Sequence, residues 1–341
     1  MEKIKLVGIG AGYFSEFQYE AWARIPEVEV SALCNRDVSK GELLATKYGI
    51  ANHYTDYLKM LDKEKPDVVD IITPPSTHLA MVEACAQRGI HIICQKPLAM
   101  NLEDARKLVK MATDYKVRLM VHENWRFQPW YRRIKQELSS GTIGDIHYAY
   151  FRSRMGDGWG SDAYIPRQPY FREYPRFLIF ENGIHFIDTF RYLFGEVKDV
   201  YAKLKKVNPI IKGEDFATVH FNFGDQMNAV WDANRYNEPN FENVRYTFGE
   251  MLIEGNKGSI RLYADGKITS QLLGLPEEEV DYQPSNANFA GDCVYSMQRH
   301  FIDNFIKKIP FETNGEDYLK SLEVQEAVYR SSQINQVIPI D

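Results

Sequence analysis

The strongest constraint on this chain is a regular alternation of short apolar runs and helical stretches over its first 122 residues. Ile4–Ile9 is an apolar run with one lysine, followed by glycines and a helical stretch over 14–25. Val28–Cys34 reads as a second strand, and Asp37 is placed to cap a helix running to about Tyr48. Next come a buried strand over 67–73, a helix over 76–88 and its C-terminal stop at Gly89. A strand over 90–94, a helix over 102–114 capped by Asn101, with Asp104 near its third position, and a strand over 117–121 close the series. Strands of five to seven residues separated by helices predict a parallel, doubly wound α/β sheet covered on both faces.

After about residue 123 the texture changes. A helix over 128–139 leads through the turn Gly141-Thr142-Ile143-Gly144 into a long strand over 143–154. A helix over 181–194 precedes strand-like runs at 197–206, 215–223, 226–234, 244–254 and 258–263. Many of these lack intervening helices, which predicts an antiparallel or mixed sheet. Helices over 292–308 and 316–333 finish the chain. At 341 residues the length calls for two domains, divided here as 1–123 and 124–341.

Composition narrows the class. Hydrophobic residues at 44% and charged residues at 26% describe a soluble globular protein, and a formal charge of −6 gives no basic footprint for nucleic acid. No apolar stretch approaches the roughly 20 residues that span a bilayer. The opening Met1-Glu2-Lys3-Ile4 enters a strand-like run directly, without a signal-peptide pattern. Cys34, Cys85, Cys94 and Cys293 show no metal-ligand spacing, so reduced thiols in a cytoplasm are expected.

Several motifs fall at strand ends on one edge of the first sheet, where open α/β sheets bind ligands. Gly8-Ile9-Gly10-Ala11-Gly12-Tyr13-Phe14 joins the first strand to the first helix. A dinucleotide pyrophosphate needs glycines there, because side chains would block its approach to the helix N-terminus. Tyr13 stands where the strict fingerprint wants a third glycine. The second strand ends Asn35-Arg36, without the carboxylate usual for an NAD ribose diol, which leans towards NADP. Asn35 remains able to bind a diol, and a solvated Arg36 is the alternative. The third strand ends Thr73-Pro74-Pro75-Ser76-Thr77-His78: either the prolines simply steer the chain out of the sheet, or the segment walls the cofactor with His78 near its adenosine half. The fourth delivers Gln95-Lys96-Pro97, where the proline fixes the turn behind the ammonium, and the fifth ends at His122-Glu123-Asn124.

In the second half, spacings of i, i+4 and i+7 place Glu181, His185 and Asp188 on one helical face, with Phe186, Phe190 and Leu193 on the other. The polar side is expected to meet a pocket, with a carboxylate orienting the imidazole. Glu181 and His185 also have metal-ligand spacing, but no third ligand cluster accompanies them, so no metal is expected. The stretch 152–177 carries Arg152, Arg154, Trp159, Tyr164, Arg167, Tyr170, Arg172, Tyr174 and Arg176. Aromatic faces suit sugar C–H groups and arginines suit hydroxyl or carboxylate clamps, while a surface loop or oligomer contact would use the same residues. Trp125 and Arg126, after the fifth strand, are further candidates for the pocket lining.

Taken together these segments resemble the NAD(P)-dependent oxidoreductases named for glucose–fructose oxidoreductase and inositol dehydrogenase. The resemblance runs through the glycine turn, Thr73-Pro74…His78, the lysine–proline motif, Asn124-Trp125-Arg126-Phe127, the 141–145 turn and Glu181…His185…Asp188. It implies a Rossmann domain followed by an α+β domain with a large open, mostly antiparallel sheet, through which a homodimer or homotetramer would form. It implies Lys96 and His185 as catalytic pair, with Glu181 at the position of the family's usual aspartate, and a sugar, polyol or sugar acid as substrate. The family most often reads Glu-Lys-Pro where this chain has Gln95-Lys96-Pro97.

On that resemblance His185 removes the hydroxyl proton, Lys96 hydrogen-bonds the substrate oxygen, and Glu181 orients the substrate or the imidazole. Gly8, Gly10, Gly12, Tyr13, Phe14, Asn35, Arg36, Thr73, Pro74, His78, Gln95, Lys96 and Asn124 would hold NAD or NADP. Trp125, Arg126, Trp159, Arg167, Glu181 and His185 would meet the substrate. Three rivals remain: a glycoside hydrolase or lyase that uses bound NAD transiently, a cofactor-sensing regulator, and a ketone or imine reductase.

Overall fold

The computed structural model describes residues 3–224 and 226–340; Met1, Glu2, Asp225 and Asp341 lie outside them. The chain forms two compact units: the residues up to Asn124 with Cys293–Lys320, and Trp125–Asp292 with Ser321–Asp341.

The first unit is built on strands β1 (Ile4–Ile9), β2 (Val28–Cys34), β3 (Asn52–Tyr54), β4 (Val68–Ile71), β5 (His91–Gln95) and β6 (Leu119–His122). All pair in parallel, in the order β3-β2-β1-β4-β5-β6. The order reverses between β1 and β4, which opens a crevice at their carboxyl ends. Helices α1 (Ser15–Ala23), α2 (Val38–Tyr48), α3 (Tyr57–Glu64), α4 (His78–Ala86) and α5 (Leu102–Asp114) connect the strands. Covered faces explain the unbroken apolar runs: every residue of β4 is buried. Asp37 caps α2 through the Lys40 amide at 3.2 Å, and Asn101 caps α5 through the Asp104 amide at 2.8 Å. Buried Ala105, Leu108, Val109 and Ala112 give α5 its apolar stripe. The β3–α3 pair was not anticipated; the strand is three residues long, although Asp56 caps α3 through the Leu58 and Lys59 amides.

The second unit contains α6 (Pro129–Ser139), β7 (Ile146–Arg154) and α7 (Ile184–Phe194), the last preceded by a π-helical turn over Ile179–Gly183. Strands β8 (Asp199–Lys205), β9 (Phe216–Asn222), β10 (Asn228–Asn234), β11 (Glu250–Gly255), β12 (Gly258–Leu262), β13 (Ile268–Leu272) and β14 (Glu278–Glu279) follow. Helices α8 (Cys293–Lys307) and α9 (Gly315–Ile334) and strand β15 (Ile338–Pro339) complete the chain. The nine-stranded sheet runs β14-β13-β12-β11-β7-β10-β9-β8-β15. Only β7 and β10 pair in parallel; the other pairings are antiparallel. Its buried face alternates regularly, as at Ala149, Phe151 and Ser153 of β7.

One departure concerns the boundary. The sequence reading places everything from 124 onward in the second domain, whereas α8 belongs to the first unit. There Arg299 bridges Glu27 at 2.6 Å, Arg24 lies over the Tyr295 ring at 4.2 Å, and the Gln298 side chain donates to the Gln18 carbonyl at 3.2 Å. The chain also clips β6, where the Val121 amide donates to the Thr313 carbonyl at 2.8 Å.

Candidate active site

In the first unit the candidate residues lie along the carboxyl edge of the parallel sheet. Gly10 has φ +123°, and a Cβ there would sit 2.3 Å from the Ile72 carbonyl oxygen, so only glycine fits. At Gly8 a Cβ would strike the Tyr19 hydroxyl. At Gly12, exposed at the mouth of the turn, it would meet nothing within 4 Å. Phe14 precedes α1 without a side-chain cap, and the Ser15 and Phe17 amides donate to the Gly12 and Phe14 carbonyls at 3.1 and 3.2 Å, closing the first turn at the exposed glycine. Open glycine, uncapped helix and sheet edge together fit a dinucleotide pyrophosphate. Tyr13 is half-exposed, and Phe14 packs edge-on to His122 at 6.1 Å.

At the end of β2, Asn35 donates to the Asp37 carbonyl at 2.8 Å, Arg36 is exposed, and the Asp37 carboxylate is occupied as the α2 cap. Neither 35 nor 36 supplies a carboxylate for a ribose diol. Thr73 and exposed Pro74 follow β4. His78 departs from its expected place beside a cofactor. It is wholly buried, and its ring nitrogens lie 2.9 Å from the Leu98 carbonyl and 2.8 Å from the Thr73 carbonyl. It ties together the segments leaving β4 and β5. Asn124 is also buried, donating to the Cys293 thiol at 3.2 Å.

Lys96 is half-buried where β5 ends, and the Lys96–Pro97 peptide is cis. β4 alone separates β5 from β1, so at ordinary strand spacing Lys96 stands about 10 Å along the edge from the glycine turn. Its backbone amide donates to the Gln95 side chain at 2.8 Å, and Gln95 donates to Gln18 at 2.9 Å. Gln18 in turn donates to Asp70 at 2.9 and 3.0 Å, as does the Trp22 indole at 2.8 Å. Burial raises the Asp70 carboxyl to about 7, against the opposing pull of the Trp22 and Gln18 hydrogen bonds. The sequence reading missed Asp70 and Gln18; one acid inside an apolar strand was the available signal.

In the second unit, α7 and its π-helical entry carry the candidates. The Glu214 carboxylate anchors the entry, accepting from the Phe177 and Ile179 amides at 3.2 and 3.0 Å and from the Tyr329 hydroxyl at 2.8 Å. Gly183 lets the turn approach Trp231, whose ring would lie 3.0 Å from an added Cβ. The π turn, a feature that often marks functional sites, breaks the simple α spacing expected between Glu181 and His185. His185 is 4% exposed, and its ring stacks parallel on Trp125 at 4.3 Å. Phe248 covers the other side of Trp125 at 4.2 Å, so the stack fixes the imidazole plane. Glu181 is half-buried, and its charge helps raise Tyr170 and Tyr174, both pushed up chiefly by burial.

Asp188 does not line a pocket as expected. It is wholly buried and takes the Arg126 guanidinium in two bonds of 2.6 and 2.7 Å. Arg126 and Trp125, expected to meet substrate, are 6% and 3% exposed, and both pack within this unit against α7. The two partners of the ion pair are 62 residues apart, which hid the pairing from any helical spacing rule.

The 155–177 stretch folds around its own aromatic cluster of Tyr164, Phe171 and Phe177, with Tyr174 against it. Several of its arginines hold that shape: Arg172 donates to the Ala163 and Ser161 carbonyls, and Arg176 pairs with Glu326. Buried Arg235, which no motif singles out, pairs with Asp157 and donates to Asn182 at 2.8 Å, beside Glu181. Arg167 reaches the same Asp157 at 3.8 Å. Trp159 is 58% exposed and donates to Glu238 at 2.7 Å. Among the described residues no group of three or more His, Cys, Asp or Glu side chains is arranged to hold a metal ion.

Residues 4–123 match the GFO/IDH/MocA oxidoreductase family with its NAD-binding Rossmann fold, and residues 131–261 match the GFO/IDH/MocA C-terminal domain. The chain is 32% identical over 350 residues to D-apiose dehydrogenase of Rhizobium rhizogenes, covering all of this chain and 98% of the relative. It is 27% identical over 323 residues to myo-inositol 2-dehydrogenase of Thermotoga maritima, covering 91% and 90%. A crystal structure of an Agrobacterium radiobacter oxidoreductase in complex with NAD+, L-tartaric acid and magnesium superposes with a TM-score of 0.91 at 30% identity, covering 99% and 98%.

Proposed function

The chain belongs to the Gfo/Idh/MocA family of oxidoreductases, and on that premise we propose that it oxidises a secondary hydroxyl of a small sugar, with Lys96 and His185 as catalytic residues. It is a dehydrogenase with an NAD-binding Rossmann domain. The observation that carries the reading is the placement of Lys96 on the carboxyl edge that also holds the open glycine turn. Bound nicotinamide would supply the hydride acceptor.

Gly10, Gly12 and the N-terminal end of α1 would hold the pyrophosphate, with Thr73 and Pro74 alongside. Lys96 donates a hydrogen bond to the substrate oxygen and favours the alkoxide that develops there. His185, its ring plane held by Trp125, takes the hydroxyl proton, a role typically worth about 10²–10⁴ in rate. Glu181 orients the substrate through a second hydroxyl. Arg36, exposed at the end of β2, lets the enzyme accept the 2′-phosphate of NADP besides NAD. The half-exposed row Leu252–Tyr150–Val230 across the nine-stranded sheet supplies a surface for a homodimer.

D-Apiose is the first substrate to try, because a D-apiose dehydrogenase is among the relatives matching over the whole chain. The test is a 340 nm absorbance screen of D-apiose, inositols and other small sugars, with NAD+ and NADP+ in parallel. The reading expects reduction with a branched or short-chain sugar. Sugar consumed without net reduction would point instead to lyase or hydrolase chemistry, and no consumption of any sugar would refute the proposal.

A further inference from the structure

We propose that Asp70 is a positioning residue for Lys96, acting through a one-way relay of two glutamine amides. The catalytic part of this proposal rests on the role given to Lys96 above.

The relay follows from counting donors and acceptors. Above about pH 7, where Asp70 is ionised, its carboxylate only accepts hydrogen bonds. Asp70 lies in the middle of β4, fully buried, and receives the Trp22 indole and the Gln18 amide nitrogen. That fixes which way the buried Gln18 amide faces. Its oxygen then points at Gln95, which must answer with its nitrogen, at 2.9 Å. The Gln95 oxygen is left for the Lys96 backbone amide, at 2.8 Å. The Gln298 side chain holds Gln18 from behind through its carbonyl at 3.2 Å. Every bond from the edge of the sheet to its interior thus runs in one direction, and Asp70 sets that direction.

Two consequences follow for position 95. A glutamate there would present oxygen to the Gln18 oxygen, and turning Gln18 round would aim oxygen at Asp70. Either way a buried acceptor is opposed by another, which is the expensive case. A glutamate becomes acceptable once position 70 can donate. With asparagine at 70, Gln18 reverses, donating to residue 95 and accepting from residue 70, while the asparagine oxygen still takes the Trp22 indole. Neither Asp70 nor Gln18 approaches the substrate in this scheme; both act by fixing the main chain where β5 releases Lys96.

The experiment compares wild type, Asp70→Asn, Gln95→Glu and the double variant. Each is measured at pH 8, where Asp70 is ionised, for melting temperature, for NADH affinity by fluorescence titration, and for kcat and KM on the sugar returned by the 340 nm screen. Gln95→Glu is expected to melt several degrees lower, as one opposed buried acceptor implies, and to lose up to about 10²-fold in kcat through the misplaced Lys96. The double variant is expected to regain most of both, while KM stays within a few-fold throughout. Additive effects of the two substitutions would overturn the relay. Coupled melting temperatures with an undiminished kcat in Gln95→Glu would leave Asp70 a packing residue and overturn its positioning role. Lys96→Met separates the two layers: full turnover in that variant refutes the assignment of Lys96, whereas additive melting shifts refute the relay whatever Lys96 does.

Discussion

Replacing Asp70 with asparagine should change how the stability of the protein depends on pH. Burial lifts the Asp70 carboxyl from 3.8 to about 7, with the Trp22 and Gln18 hydrogen bonds opposing the rise. The unfolded chain releases that proton near pH 4 and the folded chain only near 7. Between those values the folded state therefore holds the extra proton, and its stability falls as pH rises. At about 1.4 kcal/mol per pH unit, a rise of roughly three units amounts to ~4 kcal/mol, fully present as a penalty above pH 7 and absent below about pH 4. The ionisable neighbours Tyr19 and Cys94 are held protonated by burial and contribute nothing to the slope in this range. Asparagine cannot ionise, so the gap between the variant and wild type should move by ~2–3 kcal/mol in the variant's favour from pH 5 to pH 7. Thermal melts across pH 5–8 read this directly, at about 2–4 °C per kcal/mol for folding units of some 150–250 residues. A gap that stays constant across that range would refute a buried, titrating Asp70.

Three further outcomes are expected. Gly12→Ala should leave the melting temperature within the ±0.5 kcal/mol usual for surface changes, because its Cβ meets nothing, yet weaken NADH binding; unchanged affinity would remove the glycine turn from the cofactor site. Asp188→Ala strands the buried Arg126 cation and should cost about 3–5 kcal/mol in denaturant unfolding, and a loss below 1 kcal/mol would show that the pair is not buried as described. Arg36→Ala should diminish turnover with NADP+ while sparing turnover with NAD+, and equal losses with both would discard Arg36 as a phosphate contact.

Local rules made much of the first unit readable. Asp37 and Asn101 announce their helices, the apolar runs of β1, β4 and β5 announce covered strands, and the glycine turn falls where β1 meets α1. What escaped was long-range. The amphipathic pattern of α8 says that the helix packs, but not that it packs in the first unit, against α1. Asp70 was hidden because its partners Gln18 and Trp22, and Gln95 behind Gln18, lie in other segments, and only the fold joins them into one network. His78 and Asp188 were polar residues in promising motifs, yet their partners, two backbone carbonyls and Arg126, turn both inward. Gln95 was visible as a departure from the family's glutamate, and its reason appears only when donors and acceptors around Gln18 are counted.

The proposed reaction depends most directly on the ammonium at the end of β5. Lys96→Met, mixed with NAD+ and the sugar identified by the screen, should give no rise in 340 nm absorbance on the wild-type timescale while its NADH titration matches wild type. A variant that reduces NAD+ at close to the wild-type rate would contradict the central claim.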